Sequence, residues 1–295
     1  MLQIFAIGLV FVFTTMALQH LRYLHIRRVA AQDRQNPLHS IEVFHVIVLY
    51  QVNNGQRVVD AARDYVHKTD GTGAKLIYAG QAAFATTSEQ LGRQSWNGTV
   101  LLQFSNRFVY EKHAVFLSHT ADELFSDYYV HGMRRNRQQG LIMPQWLLRK
   151  RLVQLFKGQW QLPALVEQAD YATSPRYDAW RHRVDRLRAV HKVNPDGLVV
   201  FNFIKRGSPQ QRAAYESYGL YMLERMAALR HGPLHTGRSV ALQGNARFDD
   251  LHIVHYPSAG YFADLMTSSF YHAILRDKQV GDTTWIPTIP FTDDV

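Results

Sequence analysis

Residues 198–205 read LVVFNFIK, and residues 251–258 read LHIVHYPS. Short runs of β-branched, aromatic and apolar residues bounded by turn signals are strands. Between them, Gln210–Leu229 carries Tyr215, Tyr218, Met222 and Met226 at spacings of three and four, the stripe of an amphipathic helix. Leu234–Leu242 reads as a second strand and Ala259–Leu275 as a second helix. Thr284–Ile286 is a closing strand that stops before Pro287. The order is strand–helix–strand–strand–helix–strand. Such a unit makes an antiparallel sheet with its helices on one face, and leaves the other face to be covered.

The first half follows the same plan. Glu42–Val52 (EVFHVIVLYQV) is a buried strand, Asn53-Asn54-Gly55 a turn, and Gln56–Lys68 a helix. Lys75–Ala85 and Thr99–Ser105 are strands, Tyr110–Tyr129 is mostly helical, and Leu141–Met143 closes the unit before Pro144. Ile77-Tyr78-Ala79-Gly80-Gln81 corresponds to Leu234-His235-Thr236-Gly237-Arg238, and Leu141–Pro144 to Thr284–Pro287. Order and spacing, more than identity, indicate a divergent duplication.

The second half resembles a known family. The residues that carry the likeness are VVFNFIK at 199–205, YESY at 215–218, HTG at 235–237, HIVHYPS at 252–258, SSFY at 268–271, and Ile286-Pro287. They resemble the dimeric α+β-barrel proteins of the domain-of-unknown-function type, fold relatives of antibiotic-biosynthesis monooxygenases and EthD-like proteins. The likeness covers about residues 196–290, and 42–146 in outline. It implies a sheet-lined compartment between two units and no single reaction. The expected fold is therefore α+β, with two ferredoxin-like βαββαβ repeats forming one pseudo-dimeric α+β barrel.

Upstream, Leu2–Leu21 (LQIFAIGLVFVFTTMALQHL) contains no formally charged side chain. About 20 residues at ~1.5 Å each span a hydrocarbon core of ~30 Å, so an N-terminal transmembrane helix is expected. Nothing basic precedes the run and no small-x-small site follows it, which disfavours a cleaved signal peptide. Arg22, Arg27 and Arg28 follow it directly. The positive-inside rule then puts the N-terminus outside and the globular part in the cytoplasm, as a single-pass membrane protein.

The net charge of +9 is unevenly placed. Residues 145–192 carry a net +6 and residues 1–34 a net +3, while the segments of both expected repeats are near neutral. Basic charge outside the folded units, with no reader motif, argues against nucleic acid. Within 145–192, Arg149, Lys150, Arg151 and Lys157 flank the apolar face of Trp146–Trp160, a composition suited to an anionic membrane surface. The expected organisation is 1–28, anchor and basic flank; 40–146, first repeat; 147–195, basic amphipathic linker; 196–291, second repeat.

The chain has no cysteine, which excludes disulfides, thiolate metal sites and cysteine nucleophiles. No Gly-x-Ser-x-Gly, phosphate loop or dinucleotide fingerprint is present. Ser258, after Pro257 and before a helix, reads as an N-cap. His252 and His255, three apart on a strand, face opposite sides and cannot share a metal. The remaining candidates are a histidine base, His235 or His255, with Asn202, Tyr218 and Arg238 to bind an anionic or enolate-like oxygen. No metal ligand set and no cofactor are expected. The sequence favours a membrane-anchored small-molecule-binding or accessory subunit, with the lipid surface, an integral membrane protein or a small molecule as partner. The alternative is a cofactor-independent monooxygenase or isomerase acting on a small hydrophobic or aromatic substrate. A haem- or metal-dependent enzyme ranks third.

Overall fold

The computed structural model describes residues 43–84, 95–135, 175–194, 197–229, 232–244, 247–269 and 283–291, with scattered positions between 6 and 18 and between 153 and 157, and Leu91 and Tyr271 besides. Its strands are β1 (Phe44–Gln51), β2 (Lys75–Ala82), β3 (Gly98–Phe104), β4 (Asp127–Arg135), β5 (Leu198–Ile204), β6 (Gly232–Ala241), β7 (Asp250–Tyr256) and β8 (Thr284–Pro290). They close into a single barrel in the order β1-β3-β2-β8-β5-β7-β6-β4, every neighbour antiparallel. The helices are α1 (Val58–Lys68), α2 (Arg107–Leu124), α3 (Pro175–Val193), α4 (Pro209–Leu229) and α5 (Ala259–Met266).

Alternation along each strand sorts the side chains. On β1, Ile47 and Leu49 turn inward to a core shared with Leu101, Phe201, Phe203, Leu251 and Ile253. Phe44, Val46, Val48 and Tyr50 turn outward, against Ala61, Ala62 and Tyr65 of α1 and Tyr110, Leu117 and Ala121 of α2. Both faces are buried, which is why this strand reads as an unbroken apolar run rather than an alternating one. In the second half, Leu198, Val200, Val254 and Tyr256 pack outward against Val184, Leu187, Tyr218, Met222 and Phe262. Helix starts are fixed locally. The Asn106 side chain accepts from Val109 N at 3.0 Å before α2, and Ser258 accepts from Tyr261 N at 3.0 Å before α5.

The two halves share an irregularity. The β2·β3 register shifts between Leu76 and Tyr78, so Tyr78 faces Leu101. The β6·β7 register shifts between Pro233 and His235, so His235 faces Ile253. An extra residue at the same place in each half flips the following side chain to the interior. It also carries the chain into the two seams between halves, β2·β8 and β4·β6. Glycine sits at each seam. A Cβ on Gly80 would come 2.6 Å from the Ile289 carbonyl oxygen, and one on Gly237 would collide with the carbonyl oxygen of Arg134.

Several expectations need correction. The fold is one closed antiparallel barrel of eight strands with helices outside it, without the expected N-terminal transmembrane helix among the described residues. Among the described residues, no helix is long and apolar enough to cross a membrane. The single-pass location, with the N-terminus outside, falls with that helix. In the first half, the helix over Tyr110–Tyr129 stops at Leu124, and Asp127–Arg135 is the fourth strand. The strand expected at Leu141–Met143 lies outside the described residues, as do Arg149, Lys150 and Arg151. Lys157 is exposed.

The seam glycines are testable. Gly237→Ala should destabilise the chain by about 1–3 kcal/mol through overpacking against backbone. Gly219→Ala, on α4 with open space around it, should be neutral or stabilise by up to about 1 kcal/mol. Urea unfolding of both variants measures the contrast.

Candidate functional site

The inner face of β4 presents Tyr129, His131 and Met133, and Met133 pairs across the β4·β6 seam with Ser239. His131 lies diagonal to Ser239 and reaches it. Its Nε2 is 2.5 Å from Ser239 Oγ, and its Nδ1 is 3.1 Å from Tyr129 Oη. The imidazole is fully buried, Tyr129 nearly so, and Ser239 is half-buried. Burial pushes His131 down from its ordinary 6.5 to about 4, so it is neutral at neutral pH. Burial also pushes Tyr129 up to about 12, which keeps its proton in place. With the imidazole proton on Nδ1 and donated to Tyr129 Oη, Nε2 is free to accept the Ser239 hydroxyl proton.

Aromatic rings box this chain of hydrogen bonds. Phe203 and Phe248 meet the His131 ring edge-on, with centroids at 5.3 and 5.9 Å, and Trp96 lies 6.4 Å from Tyr129. Trp96 comes from the loop before β3 and Phe248 from the loop before β7, so both cover the same end of the barrel. Two polar atoms there, Trp96 Nε1 and Thr99 Oγ1, are buried and make no hydrogen bond within the protein. Thr99 pairs with Leu49, which pairs in turn with Tyr129, so the three residues share one rung of the inner wall. A buried donor without a partner costs about 1–3 kcal/mol, which a ligand acceptor would recover.

Of the residues singled out from sequence, His235 and His255 face the barrel interior, and Asn202 and Tyr218 do not. His235 is interior, its ring 4.7 Å from that of His45. His255 shares the inward parity of Leu251 and Ile253, and its Nδ1 is buried without a hydrogen bond. Burial brings it down to about 4. Asn202 faces outward, its Nδ2 donating to the carbonyls of Val200 (3.2 Å) and His252 (3.1 Å). Tyr218 lies outside the barrel on α4, buried against β5 and β7, and burial raises its pKa well above the usual phenol value. Arg238 is exposed on β6. His252 is on the outer face, its Nδ1 3.4 Å from Tyr215 Oη, opposite in sense to His255. Strand parity thus separates Asn202 and Tyr218 from the two histidines. Among the described residues, no group of three or more His, Asp or Glu side chains is placed to hold a metal ion.

Sequence reading missed Tyr129 because it was taken as the end of a helix, and His131 because it fell in the unassigned stretch after that helix. It missed Ser239 because nothing local joins it to a residue 108 positions away. The one available signal was the alternation of Tyr129, His131 and Met133 ahead of the seam.

Comparison with known proteins gives likeness in outline only. No protein-family model and no curated protein matches the sequence. Among solved structures, a chlorite dismutase variant from Candidatus Nitrospira defluvii superposes with a TM-score of 0.45 at 8% identity, covering 88% of this chain and 96% of that one. A protein provisionally called a monooxygenase, from Lactobacillus acidophilus, gives 0.40 at 8% identity, covering 84% and 94%. A protein of unknown function from Rhodopseudomonas palustris gives 0.31 at 20% identity, covering 36% of this chain and 93% of that one. Scores and identities this low leave function to be argued from the chain's own residues.

The buried histidines set an acid limit on stability. His131, His252 and His255 each sit near 4 when folded and near 6.5 when unfolded. Below about pH 6.5 the unfolded chain takes up protons that the folded chain refuses, so stability present above that pH is lost as pH falls toward 4. The melting temperature should be level from pH 7 to 8 and drop between 6.5 and 4. His252→Asn, which removes one of the three groups, should make that drop shallower.

Proposed function

We propose that the chain is a cofactor-independent enzyme, a monooxygenase or isomerase, acting on a small aromatic or hydrophobic substrate at the Trp96–Tyr129–Phe248 end of the barrel. The observation that carries this reading is the neutral interior histidine held at both ring nitrogens, at the same end of the barrel as two buried donors without partners. Both reactions start by removing an acidic proton from the substrate. An isomerase returns the proton at another atom, and an oxygenase adds dioxygen to the carbanion. The proton leaves through Ser239, whose own hydroxyl proton passes to His131 Nε2. A base near 4 is available across the whole neutral range but weak, so the substrate anion must be stabilised as it forms. Trp96 Nε1–H, the Thr99 hydroxyl and the low dielectric of the aromatic box supply that stabilisation. A membrane-anchored accessory role needs a spanning helix, which the described residues do not provide.

The test is proton exchange and turnover on a panel of aryl ketones and hydroxyaromatic compounds. The purified chain should exchange the acidic proton of at least one member into deuterated water or consume dioxygen with it. His131→Gln should reduce that rate by about 10²–10⁴ with an unchanged circular dichroism spectrum. A variant as active as the parent, or a parent that neither exchanges nor turns over any member, sinks the proposal.

A further inference from the structure

We propose that Ser239 is a nucleophilic hydroxyl activated by His131, so that the chain has an acyl-transfer activity toward small aromatic esters at one site per chain. The inference shares a site with the reading above but needs neither its substrate nor dioxygen. Three observations support it.

The first is geometry. A serine nucleophile needs a base within hydrogen-bond reach and a third group that orients the base. Ser239 Oγ, His131 Nε2 and Nδ1, and Tyr129 Oη form that series at 2.5 and 3.1 Å, drawn from β6 and β4. Ser239 is the least buried of the three.

The second is the surroundings. The developing oxyanion of an ester needs donors, and Trp96 Nε1 and Thr99 Oγ1 are buried at the same end with no protein partner. The Phe203, Phe248 and Trp96 rings favour an aromatic acyl or leaving group over a charged one.

The third is the other seam, which gives an internal comparison. Matching the two bulges makes Tyr78 the counterpart of His235, and Ala82 therefore the counterpart of Ser239. His131 pairs with Ile47 and Ile286 with Phe201, so Ile286 takes the place of His131 and Thr284 that of Tyr129. That seam lacks both nucleophile and base. It carries a structural lock instead, in which Tyr78 Oη meets Thr288 Oγ1 at 2.6 Å and Thr288 donates to the Val199 carbonyl at 2.8 Å. A serine and a histidine required only for closure would be expected at both seams.

The step balances without a further reagent. Ser239 Oγ bonds to the ester carbonyl carbon and its proton passes to His131 Nε2. The carbon–oxygen bond to the leaving group breaks, and His131 returns the proton to the departing phenoxide. Water then attacks the acyl-serine, with His131 again taking and returning a proton.

The experiment uses the full-length chain and phenylmethylsulfonyl fluoride, which sulfonylates an activated serine with loss of fluoride. Intact-mass spectrometry should show one adduct per chain, and peptide mapping should place it on Ser239. Ser239→Ala should abolish it, and His131→Gln should slow it at least about 100-fold. Tyr129→Phe, which keeps the ring and loses the orienting hydroxyl, should slow it about tenfold. Ala82→Ser should add no second adduct, because Ile286 stands where the other seam has His131. The parent should also release nitrophenol from p-nitrophenyl acetate, with the same ranking of variants. No adduct on the folded parent overturns the inference. So does an adduct that persists in Ser239→Ala, or labelling of His131→Gln at the parent rate. A chain that labels at Ser239 yet acts on no enolisable or hydroxyaromatic compound keeps this inference and loses the preceding one. Activity on such compounds without labelling does the reverse.

Discussion

A four-stranded antiparallel sheet ends in two rows of unpaired N–H and C=O groups, and here those rows decide the rest of the structure. Each half contributes the edges β2 and β4, or β6 and β8, and the halves satisfy one another by pairing β4 with β6 and β2 with β8. Exposed edges of this kind invite pairing with other chains. Closure removes them and creates an interior at the same time. Every other strand residue then has to suit a space walled on all sides. Phe201, Phe203, Ile253 and Leu251 fill much of it, and Tyr78 brings a polar group inside by bonding Thr288.

The seams are also where the halves cease to be equivalent. At one, a tyrosine and a threonine lock two strands together. At the other, Met133 and Ser239 face each other and His131 reaches across. Two identical chains pairing by a twofold axis would have to place the same residues at both joints. Joining the halves in one chain lifts that requirement, so one joint can serve closure while the other holds groups with a chemical use.

Much of the scaffold was legible because it depends on local pattern. The runs at 44–51 and 198–204 are strands in the sequence and in the structure, and the alignment of Ile77–Gln81 with Leu234–Arg238 falls on the two bulges. The opposite facing of His252 and His255 followed from parity alone. The site was not legible, because it depends on register between segments far apart. Asn202 and Tyr218 were grouped with His235 although the sheet lies between them, since a list of polar residues carries no information on which face each occupies. The N-terminal run met a count of uncharged residues, but among the described residues no helix is long and apolar enough to cross a membrane.

The Tyr78–Thr288 hydrogen bond has a kinetic consequence. It joins residues 210 positions apart, so it forms only after almost the whole described chain has been gathered. Lengthening a closed loop from about 20 residues to that span adds only about 2 kcal/mol of entropy, so the finished barrel is little weakened by it. The route is affected more. The hairpins β2–β3 and β6–β7 can form early from nearby residues, while both seams wait on encounters between distant segments. Until those encounters succeed, four sheet edges stand open. The vulnerable moment for this protein is thus the interval before its halves meet, when each can pair with the wrong neighbour as readily as with the right one.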